Sequence, residues 1–378
     1  MVKICYVNPT VLMKRPIAQI SSMFGKDKNF KISILTPRLA FKKRDDSLYY
    51  SKLEGVKVIA YPCINPPMKS EWPIPSLDFF KKSWNILKNN DILHMWVPFY
   101  FSNTWIIILK NLFFRNKKLI LTMDTIPSYS FKMGGIMDVF FKFYFKVIAK
   151  LIFRGVDYVT VYGDSFIKYA KEAGIPERKI VITPTGINFK LKDKDKDIRK
   201  EFNICKDEKI ILFVGLLVPR KGVDIVLKTI KKFREDKIRC VLVGDGPCRK
   251  EYEDLVKKLK IEDKVVFTGF RKDIHNFYHE ASVFFFPSRG EGLAGVIMEA
   301  AVYKIPIVSS KIPGTLDLID DGKTGYLCMV EDINQYHKKI KELLNDKKIR
   351  LKFIKKEYYK INKNYSWKDN FKKLKELY

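Results

Sequence analysis

Residues 283–300 read VFFFPSRGEGLAGVIMEA. Four apolar residues, Val283 to Phe286, stop at Pro287. A short continuous apolar run of this kind suits a strand buried on both faces, and proline ends it. Small residues follow at Gly290, Gly292, Ala294 and Gly295, and a helix is expected to begin near Leu293 or Ala294. Strand, glycine-rich turn and helix form one unit of a parallel α/β sheet. Two carboxylates mark this unit: Glu291 in the turn and Glu299 eight positions later, expected about two helical turns deeper. Such a pair can bracket a polyhydroxyl ligand. The bland alternative is a partner for the helix dipole plus a surface residue.

The same alternation extends in both directions. Apolar runs at Lys3–Val7, Lys31–Thr36, Val56–Tyr61, Ile92–Trp96, Lys118–Met123 and Tyr158–Tyr162 predict strands, as do Ile210–Val214, Arg239–Val243, Lys264–Thr268, Ser282–Phe286 and Ile307–Ser309. Helical patterns lie between them, so the expected class is α/β with parallel sheets covered on both faces. A chain of 378 residues exceeds one ordinary core. The charged segment KLKDKDKDIRK, residues 190–200, is the expected linker. Two doubly wound, Rossmann-like domains result, residues 1–189 and 190–361, with ligands expected at strand carboxyl ends and in the cleft between domains.

Lysine and arginine number 72 against 42 aspartates and glutamates, a formal charge of +30. That favours an anionic partner, although lysines that merely solvate the surface are the plain alternative. Six cysteines without CxxC spacing suggest neither a zinc site nor a disulfide framework, and fit a reduced cytoplasmic protein. The start, MVKICYVNP, reads as a strand rather than a signal peptide, and no apolar run is long enough to cross a membrane.

Two further segments belong with the quoted one. In FVGLLVPRKGVDIVLKTI, residues 213–230, a strand ends at Gly215, a loop carries Arg220 and Lys221, and Gly222 opens a helix. Cations beside a helix start suit an anion. In VFTGFRKDIHNFYHEAS, residues 266–282, a strand runs into Gly269, where the backbone at Phe270 and Arg271 could read a planar base.

Taken together these blocks resemble the retaining glycosyltransferases of family GT4, which have the GT-B fold. The resemblance rests on Glu291 and Glu299 as an E-x7-E motif within PSRGEGLAGVIMEA, and on VGLLVPRKGVD, LVGDGP and VFTGF. Ser310-Lys311-Ile312-Pro313-Gly314, Asp321 to Gly325, and the terminal Tyr365-Ser366-Trp367 add to it. It is dense from about residue 180 onward and thinner before. It implies that Glu291 lies at the donor sugar and that Glu299 holds the ribose. Gly292, Leu293, Ala294 and Gly295 would bring backbone N–H groups to sugar and diphosphate. Lys221, with Arg220, would stabilise the leaving diphosphate. The reaction would retain anomeric configuration by a front-face route, with no metal and no cofactor, from a UDP- or GDP-sugar. The last helix, 362–378, would return to the N-terminal, acceptor-binding domain.

This sequence departs from the family at several places. Leu216 stands where relatives often carry arginine, so Arg220 is the expected substitute. Gly292-Leu293-Ala294 follows Glu291 where relatives often read GFG, and the alanine methyl is expected to restrict the sugar pocket. Met123 replaces an expected histidine before Asp124, leaving Asp124 as the polar candidate there. Asn8-Pro9-Thr10 and Lys14-Arg15-Pro16 replace a glycine-rich loop.

In the N-terminal half, Lys142, Lys146, Lys150 and Arg154 recur every four residues among aromatic and aliphatic neighbours. A basic amphipathic helix suits an anionic membrane surface, while an ordinary packed helix with solvated lysines is the alternative. His94 ends a strand and is expected to face the cleft; His275, His279 and His337 read as structural. The function expected is transfer of a sugar to a lipid-linked or glycan acceptor at the cytoplasmic membrane face. The alternatives are a nucleotide-sugar epimerase on the same fold, or a basic nucleic-acid-binding protein, for which no reading module is seen.

Overall fold

The structure is a computed structural model that describes residues 1–11, 15–39, 53–64, 73–132 and 134–378. Its chain divides into two compact units, residues 1–184 with 371–378, and residues 185–370. The boundary falls at Pro184–Thr185, ahead of the expected 189/190.

In the first unit the strands are β1 (Val2–Val7), β2 (Phe30–Leu39), β3 (Val56–Ile64), β4 (Ile74–Pro75), β5 (Ile92–Trp96), β6 (Lys118–Thr122), β7 (Tyr158–Val161) and β8 (Ile180–Ile182). They form one sheet in the order β4-β3-β2-β1-β5-β6-β7-β8, parallel except for the β3–β4 pair. Its helices are α1 (Arg15–Gly25), α2 (Leu77–Asn89), α3 (Phe101–Phe113), α4 (Gly135–Arg154) and α5 (Ile167–Glu172).

The second unit opens with α6 (Ile198–Glu201), β9 (Lys209–Val214), α7 (Val223–Ile230), β10 (Ile238–Val243) and α8 (Arg249–Leu259). It continues with β11 (Val265–Gly269), α9 (Ile274–Glu280), β12 (Val283–Phe286), α10 (Gly295–Val302), β13 (Ile307–Ser310), α11 (Pro313–Leu316) and β14 (Tyr326–Cys328). Helices α12 (Ile333–Asn345), α13 (Lys347–Asn364) and α14 (Trp367–Leu377) complete the chain. The sheet is all parallel, in the order β11-β10-β9-β12-β13-β14. The strand order reverses between β9 and β12. A ligand crevice forms at such a switch point.

Helix α10 is apolar almost all round, and Ile297, Met298, Ala300, Ala301 and Val302 are buried. Such a helix has to lie inside a unit rather than on its surface; it packs between the sheet and α13. Its one charged residue is Glu299.

The segment 190–200 is not a free linker. Lys194 and Arg199 both pair with Glu280, and Asn276 accepts the Asp195 and Lys196 backbone N–H groups at 2.9 and 3.1 Å. Its charges are matched on the second unit, so it is held there. At the other end, Phe371–Tyr378 group with the first unit. Phe371 packs against Phe24 at 4.3 Å between centroids, Lys375 pairs with Asp27 at 2.8 Å, and the Tyr378 hydroxyl lies 2.6 Å from His94 Nδ1.

That contact corrects the reading of His94. Its ring is buried, stacked on Trp96 at 4.5 Å, with Nε2 2.7 Å from the Thr122 hydroxyl. Burial pushes the imidazole down to about 3, so it is a neutral core residue. His275 and His279 bond Asp195 and the Lys192 carbonyl, as structural histidines do.

Candidate active site

Two loops leave the carboxyl ends of β9 and β12 at the switch point, and the structure ties them together. Gly222 has φ 70°, and a Cβ there would stand 2.1 Å from the Pro287 carbonyl oxygen, so only glycine permits this approach. The Arg289 N–H donates to the Arg220 carbonyl at 2.8 Å. The Arg289 guanidinium makes paired bonds to Asp224 at 2.8 and 2.9 Å, a fork-to-carboxylate geometry that fixes orientation.

Held this way, Lys221 meets Glu291. Lys221 Nζ donates to Oε1 at 2.8 Å and to Oε2 at 2.9 Å. Arg220 approaches Oε1 at 3.3 Å and also donates to the Gly290 carbonyl. The Ser288 hydroxyl bonds Oε1 at 2.6 Å. Glu291 is 8% exposed. Burial works against its charge, but the Lys221 and Arg220 cations and the Lys221 and Ser288 hydrogen bonds outweigh it and hold the carboxyl below its ordinary range. Burial lowers Lys221 as well, partly offset by Glu291. Lys221 Nζ also lies 5.2 Å from the centre of the Phe286 ring.

The backbone after Glu291 is equally confined. A Cβ on Gly314 would lie 2.5 Å from the Glu291 carbonyl oxygen and 2.7 Å from that of Gly292. The α11 start therefore braces the turn that carries Glu291. Gly292, Leu293 and Gly295 are half-buried and Ala294 is buried. Helix α10 begins at Gly295 with Ala294 as its cap. Glu299 thus sits about one turn inside the helix, rather than two. Its Oε2 accepts from the Tyr278 hydroxyl of α9 at 2.7 Å.

The remaining candidates fall in three places. Gly215 directly follows β9, its N–H bonded to the Val243 carbonyl at 3.0 Å, and Leu216 beside it is exposed. Phe270 is exposed after Gly269 at φ 71°. The Arg271 guanidinium is committed to Glu201 and Asp273 and packs on Phe202 and Phe277, so only its backbone is left for a base. Asp124 lies in the first unit, half-buried after the buried Met123, two residues beyond β6. Asn8, just after β1, bonds the Thr10 carbonyl at 2.6 Å and the Thr36 hydroxyl at 3.0 Å, making a tight turn at the place where the family's glycine-rich loop is absent. Lys14 lies outside the described residues.

Reading the sequence gave no role to Ser288, Arg289, Gly314 or Tyr278. The first two stood inside the quoted block. Tyr278 left a fainter signal, an aromatic hydroxyl on the buried face of the helix leading into β12. Among the described residues no three His, Cys, Asp or Glu side chains cluster closely enough to hold a metal ion. No described helix is long and apolar enough to cross a membrane.

Residues 194–360 match the family model described as Glycosyl transferases group 1. The O-antigen biosynthesis glycosyltransferase WclY of Escherichia coli is 29% identical over 255 residues, 65% of this chain and 67% of the relative. An uncharacterized glycosyltransferase of Methanocaldococcus jannaschii is 25% identical over 381 residues, 96% of this chain and 93% of its own. Anabaena HepE, solved in complex with UDP-glucose, superposes with TM-score 0.79 at 16% identity, over 100% of this chain and 99% of that one. Sucrose-phosphate synthase of Thermosynechococcus elongatus gives 0.80 at 19% identity, over 100% and 98%. The solved structures show that the chain has the GT-B fold, and the match to the group 1 glycosyltransferase model lies within the second unit, at residues 194–360.

Proposed function

We propose that this chain is a retaining, metal-independent glycosyltransferase of the GT4 type, moving a sugar from a nucleotide-diphosphate sugar to a glycan or lipid-linked acceptor at the cytoplasmic face of a membrane. The observation that carries the reading is the convergence of Glu291, Lys221 and Arg220 at the β9/β12 switch point, with Glu299 one helix turn into α10. O-antigen biosynthesis by WclY supports a glycan acceptor, and UDP-glucose in HepE makes a uridine nucleotide the first donor to try.

An ammonium carries three N–H donors, and Lys221 gives two directions to Glu291. The third is available to a phosphate oxygen. In the reaction, the bond from the anomeric carbon to the diphosphate oxygen breaks and one to the acceptor oxygen forms on the same face. The acceptor proton passes to the departing phosphate oxygen. Negative charge grows on the diphosphate, so Lys221 and Arg220 stabilise the transition state more than the bound donor. Glu291, kept ionised by the same cations, accepts from donor-sugar hydroxyls. Glu299, oriented by Tyr278, accepts from the ribose hydroxyl pair. Gly215 and the Gly292–Gly295 backbone border the diphosphate, and the Phe270–Arg271 backbone borders the base. In the first unit Asp124 is the polar group assigned to the reacting sugar or acceptor.

The test is a panel of UDP- and GDP-sugars scored by saturation-transfer NMR against the wild type and Glu299→Gln. Binding that weakens in the variant supports the reading; a panel that leaves the protein unbound rejects it. Product analysis without acceptor separates transfer from epimerisation.

A further inference from the structure

Helix α4 carries the largest group of exposed apolar side chains on any described helix. Ile136 is 83% exposed, Val139 68%, Phe143 58% and Leu151 61%, with Phe140 and Val147 also open to solvent. At 100° per residue these six fall within a sector of about 120°. The opposite side, with Phe141, Tyr144, Phe145, Ala149, Ile152 and Phe153, is buried in the unit. The helix is therefore apolar on two faces, and packing within the unit explains only one of them.

Lys142, Lys146, Lys150 and Arg154 are all exposed on this helix. Successive positions four apart advance by about 40°, so the cations start beside the apolar sector and end within it. Among the described residues none of their side chains has an ion-pair partner. The one carboxylate of α4, Asp138, is turned into the preceding loop, accepting from the Ser128 hydroxyl at 2.6 Å and the Gly134 N–H at 3.0 Å. Apolar side chains interleaved with uncompensated cations suit a surface that offers both acyl chains and negative charge. A second copy of the chain would set these cations against themselves across a two-fold axis.

We infer that α4 lies in the plane of an anionic lipid bilayer, with Val139, Phe143, Val147 and Leu151 entering the interface and the four cations meeting lipid phosphates. The inference deepens the lipid-side acceptor reading above, on which its purpose rests. It changes the weight of the helix: the apolar ridge, and not the basic stripe alone, makes the attachment.

The experiment uses the whole chain and vesicles of phosphatidylcholine, alone or with an equal part of phosphatidylglycerol, without donor or acceptor. Wild type should sediment with the anionic vesicles and remain largely free of the neutral ones. Phe143→Gln with Val147→Gln and Leu151→Gln should weaken binding more than about tenfold even at low salt. Lys146→Gln with Lys150→Gln should weaken it about tenfold at low salt and little at high salt. A Phe143→Trp variant gives a direct reading, since its emission should shift to the blue on anionic vesicles. No shift, equal binding to neutral vesicles, or ridge variants that bind as wild type would overturn the inference. Concentration-dependent dimerisation abolished by the ridge variants would overturn it in favour of a second copy. Uridine-nucleotide binding is measured on the same samples. Wild type that binds the nucleotide but not anionic vesicles removes this surface only, and wild type that binds anionic vesicles but no nucleotide removes the transferase reading.

Discussion

Lys221 Nζ bridges both carboxylate oxygens of Glu291, at 2.8 and 2.9 Å, across 70 positions of chain. Both side chains are largely withdrawn from solvent, 15% and 9% exposed. Removing one partner of such a pair strands a buried charge, which costs about 3–5 kcal/mol. Lys221→Met should therefore lower stability more than Glu291→Gln/Lys221→Met together, as read by urea melts at pH 7. A double variant no more stable than Lys221→Met would mean that the pair is solvated in solution.

Glu299 and Tyr278 make a graded test of the ribose assignment. Glu299→Gln should weaken nucleotide binding by roughly 1.5–3 kcal/mol, the range for a hydrogen bond to a charged group. Tyr278→Phe removes the hydroxyl that bonds the carboxylate at 2.7 Å and leaves Glu299 itself in place; its cost should be smaller, about 1 kcal/mol. Calorimetric titration with a uridine nucleotide reads both. Equal losses from the two would show Tyr278 acting on the fold rather than through Glu299.

Leu216 is exposed beside Gly215 in the loop proposed to take the diphosphate, and Arg220 supplies the second cation at Glu291. Arg220→Ala should depress kcat more than it raises KM, because charge builds on the leaving group only in the transition state. Leu216→Arg should restore part of the loss in that background. A double variant as slow as Arg220→Ala alone would argue that position 216 does not reach the diphosphate.

Glu357 on α13 is 1% exposed, and neither carboxyl oxygen has a hydrogen-bond partner of good geometry. Burial pushes it up to about 8, with partial offsets from nearby Thr324 and Lys360. Between its unfolded range near 4.5 and 8 the folded state keeps a proton that the unfolded chain releases. Stability then falls as pH rises through that window and levels above it. Glu357→Gln should remove this slope, leaving the variant more stable than wild type at pH 8 by a few kcal/mol at ~1.4 kcal/mol per pKa unit, with the gap closing toward pH 5. Thermal melts across that range read it, and parallel slopes would place the ionised carboxylate in the folded protein.

The eleven strands read from apolar runs lie within one to three residues of the observed ones, because a strand buried on both faces must be apolar throughout. The short β4, β8 and β14 gave no such run: each has two or three residues, and β4 consists of Ile74 and Pro75. The site was half legible. Glu291, Glu299 and Lys221 stood out as charges in apolar or glycine-rich surroundings. That Lys221 bonds Glu291 was not, since the contact depends on β9 and β12 becoming neighbours in the sheet. His94 misled because a polar residue in a strand can serve the core when Tyr378, 284 positions away, returns to bond it. The 190–200 segment misled for a similar reason: Glu280 and Asn276, far along the chain, gather its charges.

The anomeric outcome of transfer is the most direct measurement. With a nucleotide sugar that binds and a glycan acceptor, the coupling constant of the newly linked sugar is read by proton NMR, alongside Glu291→Gln. The expected result is a product of the same anomeric configuration as the donor, formed far more slowly by Glu291→Gln while nucleotide affinity is kept. An inverted product, or a Glu291→Gln variant that turns over at the wild-type rate, would contradict the proposed chemistry at the β9/β12 switch point.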